Sequence, residues 1–375
     1  LAMGEQTRLM GDAEMGAVTL VSSYGEAEIA AKRIAAVVGL NRGLRQNAKV
    51  YLRSGEVFSG RIKVDSFAFK LAGGGNMKLT ADKLDRLIFA EAKDEDESQA
   101  RDEIMIETYG GDRFVVADGT SQLVAATPWG ELNFALSELQ GLKAAGEDLV
   151  GHQITLSNGT QCTAFLTGAP LKIDTALFGE VEIAPHQIRR IIPSISARGQ
   201  VAARSQSRVI VQGQQILKAE LSDELLEVFS NGQVLKLNRQ DIRRIDNLSV
   251  VGNQQVVGAD LTKFRLELWD SSVIDGLVRS EFFSFKVGGN QWQVPITDVS
   301  EIENPVPPLK EEVAADLNRL VKQLGDPAWA VREKATKDLG KFGYLAIPLL
   351  NQELSSNPDP EVRRRISRVL KAYQN

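Results

Sequence analysis

Apolar and polar residues alternate with a period of two over short runs through most of the chain, the pattern of strands with one covered face. The runs recur in a fixed order. From His152 to Ile192 the sequence reads HQITLSNGTQCTAFLTGAPLKIDTALFGEVEIAPHQIRRII. It predicts a first strand, an Asn158-Gly159 hairpin, a second strand, and a third carrying Leu171, Ile173 and Thr175. A Phe178-Gly179-Glu180 turn then leads into Val181 and Ile183, and a closing strand runs from Ile188 to Ile192. The same order recurs from Lys49 to Phe89, Ile104 to Leu142, Arg208 to Ile245 and Phe264 to Ile302. The matching closing residues Ile88, Leu139, Ile191, Ile245 and Ile302 lie about 50 to 57 residues apart, a period that identifies a repeat protein.

Ala17 to Val38 carries only the back half of such a unit, with Val18, Leu20, Tyr24-Gly25-Glu26, Ile29 and Ile34. That is too few strands to close a barrel, and an open strand edge invites pairing. Completion is expected either from another chain or in cis, from Leu1–Glu14 or a part preceding Leu1. Because the first residue is Leu, a signal peptide or a longer N-terminal part is expected ahead of it.

The period changes to about 3.6 from Lys310, after an acidic connector (Glu91–Glu103), a Ser-rich one (Ser194–Ser207) and a proline spacer (Asn304–Leu309). Four helices are expected. Val313, Leu317, Leu320, Val321 and Leu324 stripe the first; Val331, Ala335, Leu339 and Phe342 the second; Leu345 to Leu354 the third; Val362, Ile366, Val369 and Leu370 the fourth. Leu317, Leu320, Val331, Leu339, Leu350 and Leu370 are the expected core. The organisation is then a half β-unit over 1–40, five β-units over 41–92, 103–146, 150–194, 207–248 and 262–304, and a helical module over 310–375.

The Asp326-Pro327 and Asp359-Pro360 breaks are followed alike by Val331-Arg332 and Val362-Arg363, and this stretch resembles HEAT-type helical repeats. The β-units, with their polar-Gly turn, aromatic-Gly-Glu turn and closing Ile, are similar to the small Sm-like or SH3-like barrels found in tandem in bacterial envelope proteins. The resemblance implies a mainly β chain of tandem small β-barrels capped by HEAT-like helices, placed outside the cytoplasm.

Composition narrows the chemistry. With 44 Lys plus Arg against 49 Asp plus Glu, the net charge of −5 removes the electrostatic basis for avid binding to nucleic acid. No apolar run reaches the length of a membrane-spanning helix. One Cys, Cys162, excludes an intrachain disulfide, and two His, His152 and His186, leave little for a metal. The histidines read as surface or strand-end residues and Cys162 as a small buried hydrophobe. Neither a dinucleotide fingerprint, a P-loop, a zinc-protease motif nor a nucleophile elbow occurs, so no enzyme activity and no cofactor are expected.

Two constellations are left. Tyr24, Trp129 and Phe178, in aromatic-Gly-Glu turns, are candidates for stacking on a glycan, or else cover barrel ends. Arg363, Arg364, Arg365, Arg368 and Lys371 form a basic cluster suited to a partner protein. From Lys310 onward twelve basic and nine acidic residues give +3, which leaves −8 for the rest and favours attraction between copies or docking on an acidic partner. The expected function is a non-catalytic scaffold subunit acting on other subunits or copies of itself. A glycan or cell-wall-polymer binder is the alternative, and an Sm-like RNA binder is disfavoured by the acidic balance.

Overall fold

The computed structural model describes residues 2–3, 7–40, 47–90, 103–116, 120–146, 151–193, 206–251, 254–255 and 262–373. It is mainly β; among the described residues α-helices are confined to the C-terminal segment and none is long and apolar enough to cross a membrane. Two compact units divide it, 1–202 and 203–375.

Six repeats follow one another. The first has β1 (Ala2–Met3), β2 (Thr7–Arg8), β3 (Gly11–Glu14), β4 (Ala17–Ser22), β5 (Gly25–Ala30) and β6 (Ile34–Val38). The second has β7 (Ala48–Leu52), β8 (Val57–Ile62), β9 (Ser66–Leu71), β10 (Asn76–Thr80) and β11 (Arg86–Ile88). The third has β12 (Ile104–Thr108), β13 (Arg113–Val116), β14 (Gln122–Thr127), β15 (Gly130–Ala135) and β16 (Leu139–Ala144). The fourth has β17 (His152–Leu156), β18 (Gln161–Thr167), β19 (Leu171–Thr175), β20 (Gly179–Ile183) and β21 (Ile188–Ile192). The fifth has β22 (Ser207–Val211), β23 (Gln215–Leu221), β24 (Leu225–Ser230), β25 (Gln233–Asn238) and β26 (Ile242–Asn247). A short ribbon of β27 (Val250–Val251) and β28 (Gln254–Gln255) leads to the sixth: β29 (Lys263–Leu268), β30 (Val273–Val278), β31 (Phe282–Val287), β32 (Asn290–Pro295) and β33 (Val299–Glu303). Each repeat is thus a front hairpin, a back hairpin, a 3-10 turn and a closing strand.

The pairing between hairpins is reciprocal between neighbouring repeats. In the fifth and sixth, the antiparallel ladder runs β25-β24-β30-β29-β26-β33-β22-β23-β31-β32. The order is a palindrome about the two closing strands, where Ile245 faces Ile302. In this pair the front hairpin of each repeat lies between its neighbour's closing strand and back hairpin. The third and fourth repeats give the same order, β15-β14-β18-β17-β16-β21-β12-β13. So do the first two, with β5-β4-β8-β7-β6-β11-β1-β2 and a separate β3-β9-β10.

These ladders are open sheets, which corrects the expectation of closed barrels: among the described residues each back-hairpin outer strand is paired along one side only. They also decide between the two expected ways of completing the N-terminal half unit, in favour of completion in cis. β4 is flanked by β5 and β8, and β6 by β7 and β11, so the half unit is completed within the chain. Its front strands exist as β1 to β3 and pair with the second repeat.

Closing strands bury positions three apart: Ile34 and Val37, Leu139 and Leu142, Ile188 and Ile191, Ile242 and Ile245, Val299 and Ile302. A plain strand buries every second residue, so a bulge is needed. Register skips at Ile34/Ala36, Leu139/Gly141 and Ile242/Arg244 supply it. In the second repeat the buried pair three apart is Leu84 and Leu87 (4% exposed), and Ile88 is exposed (60%). Main-chain carbonyls at the bulges are capped by side chains. Asn247 Nδ2 donates to Val299 O at 2.8 Å, Asn304 Nδ2 to Ile242 O at 2.9 Å, and His152 Nε2 to Ile188 O at 2.7 Å.

The helices are α1 (Glu311–Gln323), α2 (Trp329–Leu339), α3 (Ile347–Ser356) and α4 (Pro360–Lys371), the last capped by Asp359 accepting from Glu361 N at 2.8 Å. Leu317, Leu320, Leu339, Leu350 and Leu370 form their core with Val362, Ile366 and Val369. Val331 is only half-buried, and Leu345 belongs to a 3-10 stretch, Gly340–Ala346, not to the third helix. That stretch seats the helices on the sixth repeat. Tyr344 N donates to Trp269 O at 2.9 Å, the Arg243 guanidinium lies 4.0 Å from the centre of the Tyr344 ring, and Gly343 has φ +58°. A Cβ there would meet Trp269 O, so glycine is required sterically as well as conformationally.

Asn304→Ala leaves the buried Ile242 carbonyl without its donor and is expected to cost about 1–3 kcal/mol. Ile245→Ala opens a cavity at the centre of the ladder and is expected to cost about 2–5 kcal/mol. Urea unfolding of the two variants measures both losses, and a wild-type midpoint for either removes that contact from the account.

Candidate functional site

Tyr24 projects from the turn between β4 and β5. Its hydroxyl donates to Asp112 Oδ2 at 2.9 Å, and Ser59 N donates to Asp112 Oδ1 at 2.6 Å. Asp112 is buried and follows Gly111, whose φ of +81° tightens the turn between β12 and β13. Around this polar pair stand four rings. Tyr24 meets Phe114 at 5.0 Å, Phe58 meets Phe114 at 5.4 Å and Phe178 at 5.1 Å, and Tyr24 lies 6.1 Å from Phe178. Burial first, and the Asp112 carboxylate second, raise the Tyr24 phenol well above its ordinary range.

This cluster ties the second pair of repeats to the first. Two of the predicted stacking aromatics, Tyr24 and Phe178, therefore pack on each other, and the third, Trp129, is 8% exposed at its own turn. The three rings form no exposed row. Asp112 was not among the residues singled out from the sequence. The available signal was a polar residue after a left-handed glycine, repeated as Glu56 after Gly55 and Thr160 after Gly159, all buried. At Glu56 burial raises the carboxyl above its usual range while Ser54 Oγ donates to it at 2.9 Å.

The remaining titratable candidates stay apart. His152 is a buried strand-end residue at the start of β17, with Nε2 held by Ile188 O and Nδ1 unpartnered; His186 is exposed on a 3-10 turn. Cys162 is buried and its thiol is pushed up to about 12, so thiolate chemistry is unfavourable at neutral pH. Among the described residues no group of three His, Cys, Asp or Glu could hold a metal. A groove beside the proline spacer is lined by Trp269, Asn304 and Pro305 with Arg239 and Glu220, and those two charges pair at 3.5 Å.

The basic cluster on α4 divides by helical face. Arg365 is 3% exposed and is a structural anchor, with Nε donating to Glu361 Oε1 at 2.7 Å and Nη1 to Glu333 Oε2 at 2.9 Å. Arg363, Arg364, Arg368 and Lys371 are exposed, and of these Arg368 approaches Glu333 Oε1 at 3.7 Å. Arg365 thereby fixes the helix that displays the others. The comparisons with protein families, curated proteins and solved structures found no match.

Arg365→Ala is expected to destabilise the helical segment by about 1–3 kcal/mol, because two charge-assisted hydrogen bonds and a buried stem are lost. Exposed Arg364→Ala should stay within about 0.5 kcal/mol of wild type. Arg365 holds the Glu333 carboxyl below its ordinary 4.5. A lowered folded value means that the stabilisation is whole above 4.5 and fades as the pH falls through the lowered value. Thermal unfolding against pH should show this acid loss in wild type and a smaller one in Arg365→Ala.

Proposed function

We propose that this chain is a non-catalytic structural subunit of a larger assembly, acting through protein–protein contacts, and that the outer face of α4 docks on an acidic surface of another copy. The observation that carries this reading is the division of labour among polar side chains. Buried Asp112, His152, Asn247, Asn304 and Arg365 each tie one segment of the chain to another, while Arg363, Arg364, Arg368 and Lys371 are turned to solvent together. The opposed sequence charges, +3 from Lys310 onward and −8 before it, favour contact between copies. In the same reading the β-repeats are Sm-like units that exchange front hairpins in open sheets, and the helices are a short HEAT-like module. A glycan site of the kind considered above would need exposed rings, and Trp129 is covered.

Light scattering over a salt series tests the charge contact. At low ionic strength the native particle is expected to exceed the 41.0 kDa of one chain and to fall as salt screens the contact. Arg363→Glu with Arg364→Glu and Arg368→Glu should abolish the salt-sensitive part. A particle mass identical in wild type and variant at every salt concentration would contradict the reading.

A further inference from the structure

Among the described residues the outer strands of the back hairpins have one unpaired edge each, and the six differ in how that edge is guarded. The first outward side chain is Glu26 in β5, Asn76 in β10, Glu131 in β15, Glu180 in β20 and Gln291 in β32. In β25 it is Val234, exposed and opposite exposed Phe229. The inward positions differ too. Ala27 and Ile29, Leu132 and Phe134, Val181 and Ile183, and Trp292 and Val294 are buried, whereas Leu235 and Leu237 are each only half-buried. Edge carboxylates and lysines normally keep sheet edges from pairing with other chains. The one edge lysine of β25, Lys236, is neutralised by Glu227 on its own hairpin at 3.0 Å.

We propose that β25 pairs antiparallel with β25 of a second copy, across a two-fold axis at Leu235, so that two ten-strand ladders become one continuous sheet. The proposal concerns the β-sheet edge and stands apart from the α4 contact. Its register follows from the turn. Asn231 and Gly232 have φ of +50° and +80°, a two-residue loop that makes Ser230 and Gln233 a hydrogen-bonded pair. Alternation then directs the N–H and C=O of Val234, Lys236 and Asn238 to the free edge.

A two-fold axis at Leu235 sets Val234 against Lys236 of the second copy, edge groups matched both ways, and Leu235 against its own counterpart. The inward row becomes Val228, Leu235, Leu235, Val228, apolar throughout. The alternative axis at Lys236 would set two ammonium groups opposite each other, which is unfavourable. The palindrome within the chain already uses this geometry, since β26 and β33 meet across an equivalent axis.

Cysteine cross-linking of the full chain decides it. At a non-hydrogen-bonded antiparallel pair the Cα atoms lie about 4.5 Å apart, within disulfide range. Oxidised Leu235→Cys is therefore expected to give a covalent dimer and Leu237→Cys, displaced along the strand, none. Cys162 is buried and does not compete. Lys236→Pro removes only an edge-facing N–H and should reduce any salt-resistant dimer to a single chain without changing the circular dichroism. Equal cross-linking of the two cysteine variants, no cross-linking of either, or a salt-resistant dimer that survives Lys236→Pro would overturn the proposal. If Lys236→Pro fails to fold, the cysteine pair alone decides.

Discussion

Everything else in this molecule hangs on the pairing of closing strands between neighbouring repeats. β26 against β33, β16 against β21 and β6 against β11 each create a local two-fold relation in one chain. Once those strands are side by side, each front hairpin continues its neighbour's half of the sheet. A repeat is then a covalent unit but not a packing unit. The packing unit is the pair, whose apolar residues come from both members, as where Phe264 of the sixth repeat and Leu226 and Ile245 of the fifth are all buried.

The bulge makes that pairing compatible with a core. By turning a closing strand between its two buried positions, it points both toward the apolar side and frees a carbonyl. Asn247 and Asn304 answer each other across the axis, each capping the other strand's bulge. Unpaired, such a buried carbonyl costs as much as a lost hydrogen bond. Polar residues near the axis are therefore part of the fold's specificity, and the contacts between larger segments follow the same logic. Asp112 reaches from one front-hairpin turn to Ser59 and Tyr24, and Trp269, on another such turn, receives Tyr344 from the helical segment.

Much of this was legible in the residues. Period-two runs, the Asn158-Gly159 and Phe178-Gly179 turns and the spacing of the closing residues locate the strands and the repeat. The change to a 3.6 period at Lys310 and the Asp-Pro breaks locate the helices. Strand partnership was not legible, because every back hairpin offers the same alternating apolar face and accepts a front hairpin from its own repeat or the next. Hence the first repeat looked incomplete when its strands were distributed. Ile88 was matched to the other closing residues by spacing alone, and spacing does not tell it from its buried neighbour Leu87. The Arg363–Lys371 cluster looked uniform because charge alone does not tell an anchoring guanidinium, Arg365, from its exposed neighbours.

Fragment complementation tests the central claim most directly. Residues 206–247 hold the fifth repeat and residues 262–304 the sixth. If the pair is the packing unit, neither fragment alone shows a cooperative thermal transition or protected amides, while their equimolar mixture and the continuous 206–304 chain show both. A cooperative transition in 206–247 alone, with protected amides in β22 and β24, would mean that a single repeat folds on its own and would contradict the exchange of front hairpins.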